Sequence, residues 1–322
     1  MSRRSWVGVL LVAFVALGLF AWGASSGATP RNGLIAYKLE QVAQSCDGCG
    51  DEEVDTGTSW IETIRPGGSH PRRMPCTSGQ LSGCGDGAPV FSPDGRRLAI
   101  TGSGGLVIMS PSGRTLLRLP GIAGSSTSWS PDGRRFAYTT LIQPPRRGLD
   151  GTFLLGVHIA DLAGRARLLN AMDSGHVSWS RSGRLAWDTT VDDASPKGDI
   201  WTGDPSGRLK RRIMRGATRP RWSYGGGRLG FFCSGGLCVS RPDGSHRRVL
   251  TRACELRPLD LAEAGGFAWS PNGKALACVS KRGSLIIVHL KSKRVQLVRR
   301  ASNLTGAAFI GAVDWQRAPR RY

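Results

Sequence analysis

Beyond residue 22 the sequence has no run long and apolar enough to cross a bilayer, and no stretch carries a convincing helical period. A bundle of helices, in a membrane or in water, is therefore excluded. No nucleic-acid-binding motif occurs, and no DxDxDG calcium loop. A GxSxG pattern is present at Gly23–Gly27, but it lies in a linker rather than on a strand–turn–helix elbow, so it marks no nucleophile. Acidic residues are scarce, with 23 Asp and Glu against 44 Lys and Arg, for a net charge of +21 that falls to +19 without Arg3 and Arg4. What is abundant is turn material: 45 Gly and 18 Pro, alongside 40% hydrophobic residues. Such a chain folds around a core and turns often.

The N-terminus reads as an export segment. Arg3 and Arg4 precede an uncharged stretch, residues 6–22, and the small residues Ala24 to Ala28 follow. Residues 1–28 are either a cleaved signal peptide or a retained membrane anchor, and both place residues 29–322 outside the cytoplasm: secreted, periplasmic or held at the cell envelope. The paired arginines carry a faint twin-arginine likeness. Eight cysteines in two groups of four fit an oxidising compartment and local disulfides.

A repeat runs through the remainder. One half-unit is aromatic-Ser-x-x-Gly followed by basic residues and an apolar strand: FSPDGRRLAI from Phe91, WSPDGRRFAY from Trp129, WSRSGRLAW from Trp179, WSYGGGRLGFF from Trp222 and WSPNGKALACVS from Trp269. Trp315 opens a sixth copy, DWQ, whose missing remainder stands at NGLIAY, Asn32–Tyr37. Each copy is followed by a second half-unit of apolar strand, Gly-containing turn and basic strand, as in LVIMSPSGRTLLRL at 106–119. Pro, Asp or Asn, and Gly sit where a tight turn needs them, so each half-unit is a β-hairpin. Two hairpins make a four-stranded blade, and six blades make an all-β six-bladed propeller, closed by pairing of the N- and C-terminal strands. The aromatics Phe91, Trp129, Trp179, Trp222, Trp269 and Trp315 are expected to wedge between blades.

The WSPDGRRFAY and FSPDGRRLAI copies and the terminal DWQ resemble the repeat of TolB-type propellers, over roughly residues 31–317. The resemblance implies a periplasmic or extracellular scaffold that binds other proteins or peptides. The chain has no room for the α/β domain that accompanies the propeller in TolB itself.

With the SPDG-type turns on one face, the long connections fall on the other, and that loop face is the expected binding face. Its candidate residues are Asp51, Glu52, Glu53, Arg146, Arg147, His176, Asp192, Asp193, Glu255 and Arg257. The acidic stretch 47–55 is expected to be a solvated loop in preference to a Ca²⁺ site. Cys46, Cys49, Cys76 and Cys84 are expected as disulfides in preference to a Cys₄ zinc site. Cys46–Cys49 with Cys76–Cys84 is the expected arrangement, with three pairings open; Cys233–Cys238 and Cys254–Cys278 complete the set. No cofactor and no metal are expected, and the chain is expected to be a monomer that binds no nucleic acid. It is expected not to be an enzyme but a binding scaffold for a protein, a peptide or an anionic envelope polymer. The alternative is a lyase or hydrolase at the channel mouth using Asp192, Asp193 or His176, the last lying beside Asp173.

Overall fold

The structure, a computed structural model, describes residues 30–41, 58–74, 87–102, 104–122, 124, 126–143, 145, 154–171, 174–189, 198–254, 266–300 and 308–319. The candidates Asp51, Glu52, Glu53, Arg146, Arg147, Asp192, Asp193, Glu255 and Arg257, the cysteines at 46, 49, 76 and 84, Asp173, and residues 1–28 lie outside these.

All regular structure among the described residues is β. The chain opens with β1 (Asn32–Gln41), β2 (Thr58–Ile64) and β3 (Arg72–Arg73). The first complete blade is β4 (Pro89–Phe91), β5 (Leu98–Gly102), β6 (Gly105–Met109) and β7 (Thr115–Leu119). The second is β8 (Ser126–Trp129), β9 (Arg135–Leu141), β10 (Leu155–Asp161) and β11 (Ala166–Asn170). The third is β12 (Val177–Trp179), β13 (Leu185–Thr189), β14 (Asp199–Gly203) and β15 (Lys210–Arg215). The fourth is β16 (Ala217–Trp222), β17 (Leu229–Cys233), β18 (Gly236–Ser240) and β19 (Arg248–Thr251). The fifth is β20 (Phe267–Trp269), β21 (Ala275–Val279), β22 (Leu285–His289) and β23 (Val295–Arg299). Strand β24 (Ala308–Arg317) then joins the three opening strands in the order β24-β1-β2-β3. The result is a six-bladed propeller of four-stranded antiparallel sheets.

The ring closes where the split repeat requires it. Ile35 pairs with Trp315, Ala36 with Asp314 and Tyr37 with Val313, so the C-terminal strand is innermost in a sheet begun at the N-terminus. The terminal DWQ has a part for each residue. Asp314 accepts the Phe91 amide at 2.7 Å, Trp315 is buried, and Gln316 accepts the Leu34 amide while donating to the Gly95 carbonyl. Asp314 and Gln316 thus bind the closing blade to the first blade as well as to β1. A Cβ on Gly95 would stand 1.9 Å from the Arg317 carbonyl oxygen, and its φ is +72°, so this turn accepts glycine alone.

The repeat motif explains the packing between blades. The turn serine caps its own hairpin: Ser92 Oγ accepts the Arg97 amide and donates to Asp94, and Ser130 does the same with Arg135 and Asp132. The basic residue that ends the turn then lies over the next blade's tryptophan: Arg97 over Trp129 at 4.8 Å, Arg135 over Trp179 at 5.3 Å, and Arg184 over Trp222 at 5.1 Å. The indole N–H of Trp129 donates back to Val90, and that of Trp269 to Arg221. The aromatics therefore join neighbouring blades by burial, with a cation on the face of Trp129, Trp179 and Trp222 and an indole hydrogen bond at Trp129 and Trp269. Three of the many arginines are thus placed by stacking. Cys233 is bonded to Cys238 within one hairpin, and Cys254 to Cys278 across a sequence separation of 24 residues.

Candidate functional site at the turn end of the channel

The six innermost strands run in the same direction around the channel; five end at their aromatic, and β24 continues two residues past Trp315. The residue just before each aromatic is Val90, Ser128, Ser178, Arg221, Ala268 or Asp314. In three blades this side chain accepts the amide of the next blade's aromatic: Ser128 Oγ from Trp179 at 2.8 Å, Ser178 Oγ from Trp222 at 3.1 Å, and Asp314 from Phe91 at 2.7 Å. Arg221 is a donor and cannot play that part. Instead it turns across the channel, and its Nη1 lies 3.3 Å from Asp314 Oδ1. Ala268, at the same position in the blade between them, leaves the path open.

This ion pair lines a cavity of about 320 Å³ at the turn end of the channel, which also touches Trp129, Trp179, Trp222 and the turns at 92–94, 131–133 and 223–224. The volume sits at the lower end of small-molecule sites, roughly 300–1,000 Å³. Burial disfavours both charges in the pair. It pushes the Asp314 carboxyl up, against the opposing pull of Arg221 and the Phe91 amide, and it pushes the Arg221 guanidinium down, against the pull of Asp314.

Three further side chains meet over the mouth, and all stand two residues after the repeat aromatic, where three other copies have Pro93, Pro131 and Pro271. They are Arg181, Tyr224 and Arg317. The Tyr224 hydroxyl accepts from Arg181 Nη1 at 2.6 Å and from Arg317 Nη1, and it donates toward the Pro93 carbonyl at 3.4 Å. Four blades are linked through one phenol oxygen. Among the described residues neither Arg181 nor Arg317 has a carboxylate within salt-bridge distance. Two guanidiniums converging on a single neutral oxygen form a ready receptor for an oxyanion.

His176 stands at the opposite end of the channel, the loop end. Its partner among the described residues is Asp188; the expected neighbour Asp173 lies outside them. The ring Nδ1 lies 3.0 Å from Asp188 Oδ2, the His176 amide donates to Oδ1 at 2.7 Å, and the Arg219 amide donates to Oδ2 at 2.7 Å. Asp188 is fully buried. Burial alone would raise its carboxyl, but the imidazole and the two amides outweigh that and hold it below the usual range. His176 Nε2 has no hydrogen-bond partner among the described residues and borders a cavity of about 30 Å³, enough for a water or two. The arrangement fixes one imidazole tautomer but leaves no space for a substrate.

The cavity thus opens on the face opposite the one expected to bind. Of the ten expected site residues the structure describes His176, which takes no part in the cavity. Arg181, Arg221, Tyr224, Asp314 and Arg317 were legible only as departures from the repeat. Among the described residues no three His, Cys, Asp or Glu side chains gather as a metal site would require.

No family model matches the chain, and no curated protein matches it. Solved structures do. An oligogalacturonate lyase in complex with manganese superimposes with a TM-score of 0.51 at 13% identity, over 75% of this chain and 71% of that one. An oligogalacturonate lyase from Vibrio parahaemolyticus gives 0.48 at 11% identity, over 76% and 72%. At such identity the first likeness speaks to the propeller fold alone. It nevertheless corrects the expectation that the chain is not an enzyme, because a propeller of this fold is a lyase, and a propeller fold is no ground for excluding catalysis.

Proposed function

We propose that the chain is an enzyme of the lyase or hydrolase kind, acting on a small anionic substrate at the turn end of the channel. The observation that carries this reading is the Arg181–Tyr224–Arg317 cluster over the Arg221–Asp314 pair. An oxyanion of the substrate takes the place of the Tyr224 hydroxyl between Arg181 and Arg317. The substrate is then held above Asp314, whose ionised form Arg221 maintains. A carboxylate pushed up by burial is a stronger base than a solvated one. Asp314 Oδ1 accepts a proton. In a lyase it comes from a substrate carbon, whose C–H electron pair forms the double bond as the leaving group departs from the adjacent carbon with its own bonding pair. In a hydrolase it comes from water, whose oxygen bonds to the centre from which the leaving group departs.

The test is turnover of acidic oligosaccharides and other small carboxylates by the purified chain. Asp314→Asn should lower kcat by about a hundredfold or more, within the range of a lost acid–base group, while Arg181→Ala with Arg317→Ala should raise KM. Unchanged kcat in Asp314→Asn would end the proposal.

The TolB-like repeat supports a second reading, in which the loop face binds a protein, peptide or envelope polymer. The apolar segment 6–22 supports export, and the two disulfides are compatible with a location outside the cytoplasm. Whether residues 1–28 are removed is read directly from the mass of the mature N-terminus.

A further inference from the structure

The fold gathers cations that the sequence spreads out. The outer hairpins of the third, fourth and fifth blades, residues 204–215, 241–252 and 290–300, hold 14 Lys or Arg and two Asp. The corresponding hairpins of the other three blades, 65–74, 110–120 and 161–171, hold seven and one. The three rich hairpins belong to consecutive blades, so they form one continuous arc on the circumference. Little within the arc neutralises it. Asp204 and Asp243 are held by their own turns, accepting from Leu209 and Ser245 amides. Among the described residues Arg212 and Arg299 are the arc's cations within 4.0 Å of a carboxylate, on Asp199 and Glu62. The arc also exposes apolar side chains among its charges: Leu209 at 72%, Val249 at 44%, Val295 at 47% and Leu297 at 43%.

We propose that this arc is a docking surface for an anionic lipid bilayer, with the fourth blade foremost. Charge complementarity supplies the attraction to acidic headgroups. The exposed Leu and Val decide between a lipid surface and a soluble polyanion. They gain by entering the boundary between headgroups and acyl chains and gain nothing from a hydrated polymer. Docking by the circumference leaves both ends of the channel open, so the surface is independent of the proposed active site.

Partitioning of the full chain onto vesicles of phosphatidylcholine, with and without phosphatidylglycerol, tests the assignment. Residues 6–22 contribute alike to both, so the difference between the two reports the basic residues, and the paired variants assign it to the arc. Anionic vesicles should bind more tightly, and added salt should remove the excess. Arg241→Ala with Arg248→Ala should weaken binding roughly 25-fold, about fivefold per cation, while Arg114→Ala with Arg118→Ala on the first blade changes it little. Leu209→Ser with Val249→Ser should weaken it several-fold with the charge intact. The proposal is overturned if the fourth-blade and first-blade pairs behave alike. It is overturned equally if soluble polyphosphate binds as tightly as the vesicles and the Leu209 and Val249 changes have no effect. Circular dichroism and melting of each variant separate these outcomes from misfolding.

Discussion

Arg221 and Asp314 meet at 3.3 Å across the channel although a whole blade, β20 to β23, stands between their strands. The stacked aromatics join neighbouring blades, whereas the links made at the channel, this one and those of Tyr224 to Arg317 and Pro93, pass over a blade or more. This one passes over the small side chain of Ala268. The pair is partly wet, with side chains 28% and 16% exposed, so its partners are neither free ions nor a dry core pair.

From that geometry comes a double-mutant prediction. Removing one charge strands the other, which costs about 3–5 kcal/mol for a fully buried pair and, at this exposure, about 2 kcal/mol. Arg221→Met alone should therefore destabilise by about 2 kcal/mol, and Arg221→Met with Asp314→Asn by less than either single change suggests. Urea unfolding of the four proteins measures the coupling. Additive losses would show that the two side chains do not interact.

The stacked arginines make a second prediction. Arg135 lies 5.3 Å from the Trp179 ring, and the tryptophan is buried between two blades. Trp179→Ala should cost about 3–5 kcal/mol, as large core deletions do. Arg135→Ala should cost about 0.5–1 kcal/mol, and nothing further once Trp179 is gone. If Arg135→Ala is as costly without the ring as with it, the arginine acts through its turn and not through the stack.

The disulfides should contribute unequally. In the chain-entropy account, a bond closing a longer loop restricts the unfolded chain more. Cys254–Cys278 spans 24 residues and Cys233–Cys238 spans five. Replacing the first pair by serines should cost about 3.5 kcal/mol and the second about 2 kcal/mol. Equal shifts in melting temperature would contradict the loop-length argument.

The aromatic-Ser-x-x-Gly copies reveal the fold because they carry its turns and blade contacts, and the split copy at Asn32 and Trp315 reveals its closure. The cavity was harder to see for a physical reason. A repeat reports what every blade needs, whereas a central site is made of what single blades do differently. Arg181 and Tyr224 lie in WSRSG and WSYGG, the two most degenerate copies, and Arg317 lies where the sixth copy breaks off. The charges before Trp222 and Trp315, in RW and DW, replace the small or apolar residues of the other copies. Aligning the copies and noting the exceptions would have found all five residues. His176 drew attention as a titratable group near a strand end, but its partner Asp188 sits 12 residues on, across a hairpin whose register only the fold reveals.

That hairpin supports a prediction about acid. Asp188 is fully buried, yet its carboxyl is held below the usual range by the His176 imidazole and by the amides of His176 and Arg219. A carboxyl lowered in the fold binds its proton more weakly there than in the unfolded chain, where the value is about 3.9. Its ionised form therefore adds stability above that value, and the addition disappears as pH falls through the lower folded value. Asp188→Asn removes the charge while keeping the size. One face of the amide then presents N–H groups to donors, and the loss should be about 3 kcal/mol at neutral pH. The same substitution should cost progressively less below pH of about 4, because the unfolded carboxyl then takes up its proton while the folded one stays ionised down to its lower value. Urea unfolding of both proteins across this range decides the matter. A difference between them that stays constant with pH would mean that Asp188 contributes by shape alone, and that its ionised bond to His176 holds nothing in place.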